Sequence, residues 1–352
     1  MNKNIYLDAA ASALKTKIVI DAERDFIENS YANTGRGVCA RAMAADTMLA
    51  NARTMVADFI GAKEYQVVFT SGTTDAMNRI VNIVCGSRDI GTIAVSDIDH
   101  HSARMPWEKL TREGFAKLVK IPLTKKYDLD CEDIPSADVM VITAMSNVLG
   151  VPQDVKKIVK NARAKNPNVI TIVDAAQYVA HAPIDVHAWD CDFLCFSGHK
   201  IGTNTGVGVM YIKDPDSYSP DKFGGGMVQT ISGDAWNIES APNKFEAGTL
   251  PLSQIAGLPV AIKEWCAWSG GVDIISYIYN ELEKMPRIKL LTACDAKIIS
   301  FVIDGMHILD FGALLGAHNV CVRVGNMCAS PLRWFADRPG KARCCTRTIW
   351  RF

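Results

Sequence analysis

Residues 169–200 read VITIVDAAQYVAHAPIDVHAWDCDFLCFSGHK, and this stretch decides the fold. It holds two short apolar runs, VITIVD (169–174) and FLCFS (193–197), separated by about one helix-sized interval. Each run is rich in Val, Ile, Leu or Phe on both faces, the pattern of a buried strand in a mainly parallel sheet. Each also ends in a residue able to do chemistry, Asp174 in the first and Lys200 just past the second. Adjacent parallel strands separated by one crossover bring such ends together, and ligands collect at those ends.

The same texture extends outward. VVFT (67–70), TIAVS (92–96), VMVIT (139–143) and VGVMYI (207–212) read as further strands. Helical stretches at 74–84, 103–115 and 153–165 alternate with them, which predicts an α/β sheet covered on both faces. After about 255 the pattern changes to a long helical stretch (255–284), a strand IISFVI (298–303), a helix near 308–316 and a strand VCVRV (320–324). The expected organisation is an N-terminal segment (1–15) packing with the small domain, a large domain (16–254), and a small α+β domain (255–352).

Composition narrows the class. Of 352 residues 49% are apolar, enough for a sizeable core, and 38 basic residues balance 38 acidic ones. Nucleic acid and anionic membranes usually demand a basic excess, so neither is expected as a partner. No apolar run reaches the roughly 18 residues of a membrane span, and the start lacks a signal-peptide stretch, so a cytoplasmic location is expected. The eleven cysteines are odd in number and scattered, which suits reduced thiols and offers no zinc-site spacing. No metal is expected.

Five motifs carry candidate chemistry. In FSGHK (196–200), Lys200 follows an apolar strand, where partial burial lowers an amine's pKa and leaves it neutral enough to attack an aldehyde. Ser197 and His199 beside it suit an anionic phosphate. By itself this motif fits an ordinary strand-end turn equally well. In VITIVDAAQ, Asp174 needs a cation or several donors, since a bare buried carboxylate is unfavourable. A pyridinium nitrogen meets that need, with Gln177 in reach of a neighbouring phenolic oxygen; a helix N-cap is the plainer alternative.

FTSGTTDAMN (69–78) runs from a strand through a Gly-Thr-Thr turn into a helix start, a place for phosphate, though many capped helices look the same. In SDIDHHSARMPW (96–107), His100 follows a strand end, where it can stack on an aromatic ring or move protons, or simply occupy a surface loop. In VRVGNMCASPL (322–332), Cys328 sits in a Gly/Asn/Ser/Pro loop and not in an apolar run, which marks it as the best reactive thiol. Beyond it, Arg343 in KARCCTR has the fork geometry that grips a carboxylate.

Together these blocks resemble the cysteine desulfurase and selenocysteine lyase family, of the class V aminotransferase group of fold-type I pyridoxal-phosphate enzymes. The likeness is greatest to the Suf type. It runs from IYLDAAAS (5–12) through YANTGRG, FTSGTTDAMN, DHHSARMPW, SNVLG, DAAQ, DFLCFSGHK and FEAGT to the RVGNMCASP loop and KARCC. The resemblance implies a pyridoxal 5'-phosphate Schiff base on Lys200, with Asp174 and Gln177 on the ring nitrogen and phenolic oxygen. It implies His100 stacked on the ring and assisting proton transfer. Thr73, Thr74, Ser197 and His199 would hold the phosphate, and Thr249 would reach the phosphate of a neighbouring subunit in a homodimer. Asn33, Asn147 and Arg343 would orient the substrate. Cys328, on a mobile and accessible loop, would take sulfur from L-cysteine as a persulfide, releasing alanine. The sulfur would pass to a protein acceptor for Fe–S cluster or other sulfur-containing cofactor assembly. Selenocysteine lyase, another lyase or aminotransferase on the same scaffold, and an inactive cofactor-bound partner subunit are the competing expectations.

Overall fold

A computed structural model describes residues 4–268, 274–329 and 345–347. A seven-stranded sheet forms the large body: β1 (Val67–Thr70), β2 (Thr92–Val95), β3 (Lys117–Lys120), β4 (Val139–Thr143), β5 (Ile170–Asp174), β6 (Phe193–Ser197) and β7 (Gly208–Ile212). In space they run β1-β7-β6-β5-β4-β2-β3. Every neighbouring pair is parallel except those of β7, which is antiparallel to both β1 and β6. The predicted α/β architecture is thus present.

Period-two alternation divides the strands between two apolar layers. Val67, Phe69, Leu194 and Phe196 face one layer, completed by Val56 and Ile60 of helix α1 (Ala40–Ile60). Val68, Phe193 and Cys195 face the other. Met77 and Ile80 of α2 (Thr73–Cys85) and Trp107 of α3 (His101–Arg112) complete that second layer. Helices on both faces explain why β1, β4, β5, β6 and β7 are buried along their whole length.

Two features depart from the sequence expectation. The long helical stretch at 255–284 is two helices, α4 (Leu252–Ala267) and α5 (Ile274–Glu283), and 269–273 between them lie outside the described residues. Ile255, Leu258 and Ile262 of α4 belong to the core of the large body, and the expected boundary at 254–255 falls in the first turn of this helix. The expected strand VCVRV is split by its partners. Val320–Cys321 pairs in parallel with Ile5–Tyr6 at the chain's start, whereas Arg323–Val324 joins a four-stranded sheet with Ile288–Leu290, Ile299–Ile303 and Cys345–Arg347. Leu282, Ile299, Phe301 and Ile308 form the core of this C-terminal body. No helix among the described residues is long and apolar enough to cross a membrane.

One buried ion pair ties the FEAGT segment to the sheet. Arg53 grips Glu246 through two nitrogens at 2.9 and 2.8 Å, and Glu246 also accepts from the Phe69 amide at 2.7 Å. The Arg53 guanidinium lies over the Phe69 ring, 4.7 Å from its centroid. Removing one partner of such a pair strands a charge in the core. Arg53→Ala should therefore lower stability by about 3–5 kcal/mol in urea unfolding, and a loss under about 1 kcal/mol would contradict this account.

Candidate active site

The carboxyl ends of the parallel strands open into a cavity of about 650 Å³, where sheet topology places ligand sites. Strand register sets its floor. Thr143 ends β4 opposite Asp174, and Asp174 ends β5 opposite Cys195, so β6 continues to Ser197 and a tight turn delivers Lys200. Lys200, Asp174, Gln177, His100, Asn147 and Cys328 all line this one cavity.

Asp174 is buried, and its Oδ1 accepts from the Ala176 amide at 2.9 Å. Burial pushes its carboxyl up to about 6; the Ala176 N–H opposes this, the nearby Asp99 charge adds to it, and Lys200 counters it. The amine of Lys200 is brought down to about 8, chiefly by burial and against the pull of Asp174. It donates to the carbonyl of Ala10, which also accepts from Gln177 Nε2 at 2.7 Å. The N-terminal segment therefore closes one wall of the site.

A second corner is built for an anion. Thr73 opens α2, donates its amide to Ser197 Oγ at 2.8 Å, and shares a 2.9 Å hydroxyl contact with the same atom. Thr74, the next residue of the first turn, also lines the cavity. First-turn amides carry partial positive charge. Gly72 precedes the helix at φ 146°, and a Cβ on Gly208 of β7 would meet its Cα at 2.5 Å, so two glycines permit this approach. His199 Nδ1 is buried and has no hydrogen-bond partner among the described residues. Burial, then the charges of Lys200 and Lys15, bring this ring down to about 4, so it is neutral near pH 7.

His100 caps α3, accepting from the Ser102 amide at Nδ1 (3.1 Å). Burial and the Lys200 charge bring it to about 4 as well. A neutral ring that accepts at Nδ1 carries its proton on Nε2.

Cys328 is exposed and sits at the cavity wall. Its backbone is held at two points: the Cys328 carbonyl accepts from the His101 amide at 2.8 Å, and the Met327 carbonyl from Asn147 Nδ2 at 2.7 Å. Met327 and Cys328 have φ of 49° and 54°, a left-handed backbone uncommon for residues with a Cβ. Asn147 Oδ1, on the same side chain, is buried without a partner among the described residues.

Asn33 and Thr249 are exposed and lie outside this cavity, and Arg343 lies outside the described residues. Sequence reasoning missed Asp8, Thr143 and Arg323 as lining residues. Arg323 Nε and a terminal nitrogen grip Asp8 at 3.0 and 2.7 Å, across the chain's two ends. The signal was weak: both sit inside the quoted blocks IYLDAAAS and RVGNMCASP, five residues ahead of Cys328 in the second.

Comparison with known proteins gives a consistent answer. Residues 5–346 match the family model described as aminotransferase class-V. A cysteine desulfurase of Yersinia pseudotuberculosis is 33% identical over 362 residues, covering 96% of this chain and 87% of the relative. One from Shigella sonnei is 35% identical over 359 residues with the same coverage of both. The apo cysteine desulfurase of Thermococcus onnurineus NA1 superposes with a TM-score of 0.90 at 30% identity, covering 99% of this chain and 90% of that one. The Escherichia coli cysteine desulfurase CsdA gives 0.87 at 29%, covering 99% and 91%.

The buried Asp174 carboxylate makes a stability prediction. Its folded pKa of about 6 stands above the ordinary 3.8, so its ionised form weakens the cofactor-free fold. That penalty is full above about pH 6, fades as pH falls from about 6 through 3.8, and is gone below both values, where the side chain is neutral in both states. Asp174→Asn should raise the melting midpoint of the cofactor-free protein at pH 8, with the gain shrinking as pH falls below about 6 and vanishing only below 3.8. A lower midpoint at pH 8 would contradict the assignment.

Proposed function

We propose how this chain, which belongs to the class-V aminotransferase family and within it to the cysteine desulfurases, performs its reaction: it converts L-cysteine to L-alanine with pyridoxal 5'-phosphate and takes the sulfur onto Cys328. One observation carries this reading. A desolvated lysine amine and an exposed cysteine line the same cavity, with a buried carboxylate and an anion corner between sheet and helix.

The residues present fit the cofactor's three demands. Lys200 offers an amine for its aldehyde, Asp174 a buried anion for its ring nitrogen, and Thr73, Thr74, Ser197 and His199 donors for its phosphate. The unpartnered Nδ1 of His199 is an atom whose burial such an anion would repay. When bound, pyridoxal phosphate supplies an electrophilic carbon and a protonated ring that stores an electron pair. Gln177 is within the same cavity to meet the phenolic oxygen, and His100 presents its ring.

Lys200 with a pKa near 8 suits two tasks, capture of an aldehyde and proton movement at the substrate α-carbon. The free Oδ1 of Asn147 accepts from the substrate, and Arg343, which lies outside the described residues, is assigned its carboxylate from the sequence motif alone. Thr249 is exposed on its own chain, which suits a residue that serves the site of a second copy in a homodimer. The Cys328 thiolate attacks the substrate sulfur. A sulfur–sulfur bond forms, the carbon–sulfur bond breaks, and its electron pair stays on the β-carbon, which gains a proton to become the methyl group of alanine. The persulfide on Cys328 then passes sulfur to a protein acceptor, in supply of Fe–S clusters or other sulfur-containing cofactors.

Two measurements test this. Alanine release from L-cysteine by the cofactor-loaded protein should fall to background in Cys328→Ser, and release at the parent rate would remove Cys328 from the reaction. Capture of pyridoxal phosphate by the cofactor-free protein should accelerate as pH rises through about 8, because only the neutral Lys200 amine reacts. A rise confined to the region of an ordinary lysine, near 10.5, would contradict the role of burial.

A further inference from the structure

Behind Asp174 lies a second carboxylate that no step above uses. Asp99 follows β2, is fully buried, and does not line the cavity. It accepts three hydrogen bonds: from the Ser96 amide at 2.6 Å, from Ser96 Oγ at 2.6 Å and from Thr143 Oγ1 at 2.7 Å. Burial pushes this carboxyl up, while the three donors and the nearby Arg104 charge favour its ionised form. No ion pair reaches Asp99 among the described residues. The nearby Arg104 is committed instead to Glu108 at 2.5 Å, to Asp97 at 3.2 Å and to the Ser96 carbonyl at 3.0 Å.

Thr143 links the two carboxylates. Its hydroxyl donates to Asp99, its backbone stands opposite Asp174 in the β4–β5 ladder, and its side of the strand end lines the cavity. Asp99, Thr143 and Asp174 therefore sit at the ends of three successive strands in space, β2, β4 and β5. Only the last carboxylate faces the ligand. The inner one is fully buried, and its charge acts on Asp174 through space.

When both are ionised, two like charges so placed repel, and a cation beside the outer one relieves the repulsion. We propose that Asp99 is a positioning residue: an inner carboxylate that sharpens the preference of Asp174 for a cationic ring nitrogen over a neutral ring. This rests on the reading that Asp174 holds the ring nitrogen of pyridoxal phosphate.

The test compares binding of pyridoxal phosphate with binding of its 1-deaza analogue, in which a C–H replaces the ring nitrogen. Equilibrium dialysis against cofactor-free wild type, Asp99→Asn and Ser96→Ala gives both affinities. Wild type should prefer pyridoxal phosphate. Asp99→Asn should lose about tenfold of that preference, with its affinity for the deaza analogue as in wild type. Ser96→Ala, which removes one stabilising donor, should shift the preference the same way by less. Equal weakening toward both ligands would mean a merely structural role and overturn the proposal, as would an unchanged preference. Should Asp99→Asn fail to fold, Ser96→Ala decides alone, and an unchanged preference there overturns it. If wild type itself shows no preference, the reading of Asp174 fails first, before any variant is considered.

Discussion

Two opposite charges kept from water at the ends of neighbouring strands are the constraint on which the site depends. Asp174 closes β5, and Lys200 follows β6 by one turn. Burial displaces both from their ordinary ionisation, the acid upward to about 6 and the amine downward to about 8. Neither state favours the empty protein. Strands buried along their full length, between two apolar layers, supply the stability that lets the sheet hold these groups in place. Ligand chemistry then follows from relief: a cation beside Asp174, and an aldehyde that turns the neutral amine to use.

The rest of the cavity is assembled from parts distant in sequence. The N-terminal segment pairs with Val320–Cys321, ties Asp8 to Arg323, and offers the Ala10 carbonyl to Lys200 and Gln177. The Cys328 loop is fastened to the large body through Asn147 and the His101 amide. His101 is the neighbour of His100, so the Cys328 backbone and the His100 ring meet at one helix start. The thiol is accessible, and the backbone that carries it is held at two carbonyls.

Much of the fold was legible because buried strands write themselves in continuous apolar runs. VVFT, VMVIT and FLCFS coincide with β1, β4 and β6. The edge strand β3, KLVK, was not, since its outer lysines are exposed and its pattern is that of a solvated turn. The hairpin Val228–Ser232 with Ala235–Ile238 escaped for the same reason, being exposed along most of both strands. In the site, Lys200, Asp174, His100 and Cys328 could be singled out because each stands at the end of an apolar run or in a loop of distinctive composition. Asp99, Thr143, Arg323 and the Ala10 carbonyl could not, because their meaning is a tertiary contact: a hydroxyl reaching the next strand, a guanidinium meeting the chain's other end. Sequence spacing carries no record of such meetings.

The central claim is that Lys200, and no other lysine, is the amine the site has made ready. Borohydride reduction of the protein loaded with pyridoxal phosphate, followed by proteolysis and mass mapping, tests it most directly. The account predicts the reduced cofactor on the peptide bearing Lys200, with stoichiometric labelling lost in Lys200→Ala. Label on another lysine, or undiminished labelling of that variant, would contradict it.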